Sequence, residues 1–91
     1  MKVRELLNAR SRWVQGTDAE KSDGQETYAK DPDATCWCLL GAIERCYPHE
    51  EREDIYDRIV AATKESQISS WNDSPLRTFE DVQKLVQELD I

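Results

Sequence analysis

Apolar residues fall along this chain in four separated stripes that repeat at steps of three and four. That period puts side chains on one side of a helix, so the pattern predicts four amphipathic helices. Val3, Leu6, Leu7, Trp13 and Val14 mark the first, over residues 2–14, with Gly16 as its stop. Asp31 and Pro32 read as an N-cap and a proline at the first helical position, where the missing N–H costs nothing. The helix they open carries Cys36, Leu39, Leu40, Ile43, Cys46 and Tyr47 on one side and Trp37, Gly41 and Ala42 on another. Being apolar nearly all round, it is expected at the centre. Gly41 costs about 1 kcal/mol relative to alanine inside a helix, which predicts a neighbour packed too close for a side chain. Pro48 breaks this helix and opens a third, with Glu50 and Glu51 in the first turn and Ile55, Ile59 and Ala62 as a narrow core stripe. Thr78, with acidic Asp81 at the third helical position, caps a last helix whose stripe is Phe79, Val82, Leu85, Val86 and Leu89.

Between the stripes the chain is polar. Residues 15–30 break period, with Gly16, Asp23 and Gly24 as turn formers and Tyr28 as the one large anchor, so a long polar loop is expected after the first helix. A short extended piece fits at residues 26–30. Residues 67–76 read as a second, turn-rich loop held by Ile68 and Trp71. The expectation is an all-α protein: a compact four-helix arrangement, residues 1–91 forming a single helical domain.

Several short motifs form a pattern of their own. Trp13-Val14-Gln15-Gly16, then Asp31-Pro32-Asp33-Ala34 running into Trp37-Cys38-Leu39-Leu40-Gly41-Ala42, then Trp71-Asn72-Asp73 with Pro75 and Arg77-Thr78, lie in that order. The combination resembles a small uncharacterised family found in bacterial and phage genomes, over nearly the whole chain from Leu6 to Leu89. The resemblance implies a shared fold and a bacterial or phage setting, and it carries no activity.

Charge narrows the field of functions. The net charge is -7, from 19 acidic and 12 basic residues. Residues 1–12 carry Lys2, Arg4, Arg10 and Arg12 against Glu5 alone, a net of +3, which leaves -10 on the remainder. Such a field repels phosphate backbones, so no direct nucleic-acid partner is expected, and it favours a protein partner with a basic surface. A basic start beside an acidic body is also internally complementary. No secretory leader is read in the first fifteen residues, which hold four basic residues and no continuous apolar stretch. The longest nearly apolar run, Cys36 to Ile43, falls far short of the roughly 20 residues that span a bilayer, so no membrane partner is expected. With an odd cysteine count, a cytoplasmic location with reduced thiols follows.

Each candidate chemistry meets a structural alternative. Cys36, Cys38, Cys46 and His49 are zinc-ligand types, yet Cys36 and Cys38 sit about 200° apart on a helix and cannot face one ion. Cys46 and His49 suit a nucleophile and base, but Pro48 separates them and no oxyanion-hole motif accompanies them. The acidic loop around Gly24 places Ala19, Lys21 and Lys30 at ligand positions of a calcium loop, so that code fails. No catalytic residue, metal or cofactor is therefore expected. Two surfaces remain. The acidic face of the third helix, with Glu50, Glu51, Asp54 and Asp57, suits a basic protein partner, although Arg52 and Arg58 are available for local pairing, Arg58 four residues beyond Asp54. Trp13, Trp71, Asn72 and Asp73 suit a nucleotide-like small ligand by stacking and hydrogen bonding, while turn chemistry and core packing account equally for all four. The sequence thus favours a non-enzymatic protein-binding or regulatory protein of phage or mobile-element type, an inhibitor acting through its acidic surface being one form. A small-ligand binder is the alternative, and a small enzyme using an acidic residue a third reading.

Overall fold

The computed structural model describes residues 1–91. Five α-helices accompany a three-stranded antiparallel sheet, which overturns the all-α expectation: the fold is α+β. The helices are α1 (Val3–Leu6), α2 (Leu39–Cys46), α3 (His49–Thr63), α4 (Ile68–Asp73) and α5 (Phe79–Leu89), with a 3-10 turn at Arg10–Arg12. The strands are β1 (Ala19–Lys21), β2 (Glu26–Thr27) and β3 (Ala34–Trp37), in the order β2-β1-β3.

The sheet escaped the pattern because its strands are two to four residues long, too short to show a period of two. Its hairpin is nevertheless written in turn chemistry. Gly24 takes a positive φ of 86°, its N–H donates to Lys21 O at 2.9 Å, and Gln25 N–H donates to Asp23 Oδ1 at 3.0 Å. Asp31-Pro32 is a turn rather than a helix start. Asp33 N–H donates to Asp31 Oδ1 at 2.9 Å, and Ala34 N–H to the Asp31 carbonyl at 3.0 Å. The same side-chain acceptor serves an N-cap and an Asx-turn, and the residues that follow decide between them. Here Thr35, Cys36 and Trp37 favour extended backbone, with Ala34 and Trp37 buried and Thr35 exposed.

The first predicted helix is likewise cut short. Val3, Leu6 and Leu7 pack into the core as expected, but α1 stops at Leu6, and Arg12 Nε donates to its free carbonyl at 2.8 Å. Trp13 then runs extended beside Trp37, and Val14 N–H donates to Trp37 O at 3.1 Å. Trp13 and Val14 satisfied the helical spacing by coincidence with a strand-like edge. The helix read from Asp31 begins only at Leu39, where the Cys38 thiol caps it by accepting from Gly41 N–H at 3.2 Å. Gly41 does face a close neighbour: a Cβ there would lie 2.1 Å from the Asp18 carbonyl oxygen. Residues 67–76, read as a loop, contain the short α4.

The last two expected helices hold. The Thr78 hydroxyl accepts from Asp81 N–H at 3.2 Å, and Asp81 Oδ2 accepts from Thr78 N–H at 3.1 Å, closing the box that starts α5. In α3, Ile55 and Ile59 enter the core, but Ala62 is exposed. One apolar cluster runs from Val3 to Ile91 and draws on every α-helix and on β1 and β3. No helix is long and apolar enough to cross a membrane.

Candidate interaction site on the third helix

The helix that carries the acidic residues is placed by its arginines. Arg52 reaches back over the end of α2, donating from Nε to Tyr47 O at 2.9 Å and from its terminal nitrogen to Glu44 O at 3.0 Å. Arg58 donates to the carbonyl of Leu89 at the end of α5. Both guanidiniums thus satisfy helix-end carbonyls that lack an internal partner. Neither pairs with a carboxylate, and the expected Asp54–Arg58 pair does not form. The molecule's ion pairs are Lys2 and Arg4 with Asp90, Arg10 with Glu80, Arg77 with Asp81 and Lys84 with Glu88. The basic amino-terminal segment is therefore neutralised largely against α5. Glu50, Glu51, Glu53, Asp54 and Asp57 of α3 are all exposed and all outside these pairs.

Successive residues of a helix turn by about 100°, which places Glu50, Asp54 and Asp57 along the outer side of α3 with Glu51 at one margin. A second row, His49, Glu53, Tyr56 and Val60, runs along the flank that meets α2 and α4. A hollow of about 390 Å³ opens there, lined by Glu44, His49, Glu50, Arg52, Glu53 and Tyr56. Burial first, and then the nearby Asp18 carboxylate, push the Glu44 carboxyl above its ordinary range, with Arg52 and Lys30 pulling the other way. Sequence reading passed over this flank, although the four-three-four spacing of 49, 53, 56 and 60 is itself a helical row.

The other predicted site is consumed by the fold. Asn72 is completely buried, and its amide ties three segments together. Its Oδ1 accepts from Trp13 Nε1 at 2.7 Å and from Leu39 N–H at 3.0 Å, while Nδ2 donates to Val14 O at 3.1 Å and Asp73 Oδ1 at 2.9 Å. Asp73 also accepts from Gly16 N–H at 3.0 Å, and Gln15 Nε2 donates to the carbonyls of Asn72 at 2.8 Å and Ser74 at 3.0 Å. The Trp13 ring leans on Phe79 with centroids 6.5 Å apart. Trp71 is covered by the Arg77 guanidinium, 4.0 Å above the ring. Trp13, Trp71, Asn72 and Asp73 come together as a joint, with the Asn72 amide fully engaged inside the chain.

Of the cysteines Cys38 is buried, while Cys36 and Cys46 are half-buried. Burial pushes the Cys38 thiol up to about 11, and burial also raises Cys36 and Cys46, Glu20 adding to the effect at Cys36. Raised thiols are poor nucleophiles and poor metal ligands. The histidine, cysteine and carboxylate side chains form no cluster of three that would hold a metal ion.

Fold and surface together define a small α+β protein in which Trp13, Trp71, Asn72 and Asp73 form an internal joint and the third helix carries five exposed carboxylates outside any ion pair. The chain belongs to the family of unknown function DUF6197, whose model matches residues 1–89. No curated protein and no solved structure matches it.

Proposed function

We propose that this is a non-enzymatic regulatory protein of bacterial or phage type that binds a protein partner with a basic surface through the outer side of α3. The observation that carries the reading is the pairing scheme. Five exposed carboxylates stand on one helix while the two arginines of that helix serve backbone carbonyls elsewhere. Like charges one turn apart, as in Glu50 and Asp54, cost a few tenths of a kcal/mol in a helix, and the first-turn dipole offsets this only for Glu50 and Glu51. A basic partner relieves the repulsion and is steered in by the field, with an association rate that falls as salt rises. Such a protein fits the part of an inhibitor that covers a nucleic-acid-binding surface.

Affinity capture from the native host supplies the partner, and stopped-flow association across a salt series supplies the test. Replacing Asp54 and Asp57 together by asparagine leaves helix content intact and slows association at low salt. An unchanged rate for the double variant at every ionic strength refutes the assignment of this face.

A further inference from the structure

Tyr56 is the wall between two hollows of opposite character. On one side lies the acidic hollow already described, with Glu44, Glu50, Glu53 and His49 around it. On the other lies an apolar one of about 320 Å³, in which Leu40, Val60 and Ile68 join Tyr56 between α2, α3 and α4. The arginine of the acidic hollow donates to two backbone carbonyls and to no carboxylate, and its single positive charge leaves the three carboxylates in net excess. Glu53 and Val60 are seven residues apart on α3, which sets the two hollows about 10 Å apart along the helix.

We infer that this two-part cleft is the specificity site for the partner, taking one arginine or lysine side chain against Glu44 and Glu53 and one apolar side chain beside Val60, about 10 Å apart. The inference rests on the proposed protein-binding role and adds to it what the outer face lacks, a feature that selects one basic surface among many. Charge complementarity names the occupant of the acidic half, which the Tyr56 side chain helps to line. A phosphate-bearing ligand is repelled by the same carboxylates. A second copy of this chain would bring its own -7 charge against the acidic half. A small ligand fills one hollow and leaves the other open, whereas two side chains three residues apart on a polyproline-II segment, which turns once in three residues and rises about 3.1 Å for each, lie on one side about 9 Å apart and reach both.

The probe is a capped peptide in which arginine and leucine lie three residues apart in a glycine-serine background, titrated into the isotope-labelled chain by nuclear magnetic resonance. Saturating shifts are expected at the amides of Glu44, Glu53, Tyr56, Val60 and Ile68. Glu53→Gln is expected to weaken the peptide about twofold to fivefold, as for an exposed ion pair. Val60→Asn weakens it by a similar factor with the amide spectrum otherwise preserved. Peptides with glutamate for arginine, or serine for leucine, bind more weakly still. Shifts absent up to millimolar peptide, shifts confined to one hollow, or affinity unchanged in both variants overturns the inference. The two readings fail separately. If Asp54→Asn with Asp57→Asn slows the captured partner while Glu53→Gln and Val60→Asn leave its affinity untouched, the cleft is wrong and the outer face stands. If only the cleft variants weaken the partner, the outer face is wrong.

Discussion

Replacing Asn72 by aspartate changes one NH2 group into an oxygen at almost constant shape, and the structure says what that exchange costs. The acceptor role toward Trp13 Nε1 and Leu39 N–H survives. The new oxygen faces the Val14 carbonyl, formerly 3.1 Å from a donor, and the Asp73 carboxylate, formerly 2.9 Å from it. Two attractive contacts become two repulsive ones at a site with no exposure to solvent. Burial beside a like charge raises a carboxyl pKa by up to about 3–5 units, and each unit is about 1.4 kcal/mol; at pH 7, about three units above the unfolded value, a carboxyl raised this far stays largely protonated and the loss levels off, so Asn72→Asp loses roughly 4 kcal/mol. A chain of this size is stable by about 5–14 kcal/mol, which brings the variant close to unfolding. The sign of the pH dependence follows: the folded form of the variant holds its proton more tightly than the unfolded form, so the deficit is full above the raised pKa and shrinks as pH falls through it. Asn72→Ala behaves differently. It strands the Leu39 N–H, the Val14 carbonyl and part of the Trp13 indole, for a loss of about 3–5 kcal/mol that does not depend on the variant's own titration. Urea denaturation followed by tryptophan fluorescence from pH 4 to 8, each variant against wild type at the same pH, measures both. An aspartate variant as stable as wild type at pH 7, or with a deficit that fails to shrink in acid, refutes the joint and returns the motif to ligand binding.

Two further outcomes are expected. Gly41→Ala, ordinarily a gain of about 1 kcal/mol inside a helix, here drives a Cβ into the Asp18 carbonyl and strains the bond that Cys38 N–H donates to it at 3.1 Å. The net loss is about 1–3 kcal/mol, a fall in Tm of roughly 5–20 °C by calorimetry, and a rise in Tm contradicts the close approach. Cys38, with its thiol at about 11, is only about a thousandth ionised at pH 8, so mass mapping of iodoacetamide-treated native protein finds it alkylated last. Equal labelling of Cys36 and Cys38 shows that the cap is open.

What the sequence determined by itself is what local chemistry and long periods encode. The Thr78 box and the eleven-residue α5 were legible because cap and stripe agree within one segment. The core stripe Ile55 and Ile59 of α3 and the close neighbour of Gly41 were legible for the same reason, as was the acidic character of the α3 surface. The sheet was not. Strands of two, three and four residues carry no period, and β3 exists only because a partner distant in sequence lies beside it, as Glu20 does beside Cys36. The Asp31 turn, the extended course of Trp13 and the truncation of α1 belong to the same class, since their local signals fit helix equally well and the pairing of Trp13 with Trp37 decides among them. Tertiary structure also decided the meaning of the motifs. Whether Asn72 meets a ligand or the chain itself depends on Trp13, Val14 and Leu39 arriving from 33 or more residues away. Whether five carboxylates are paired or bare depends on where two long arginine side chains turn, and that is set by which helix-end carbonyls the packing leaves within their reach.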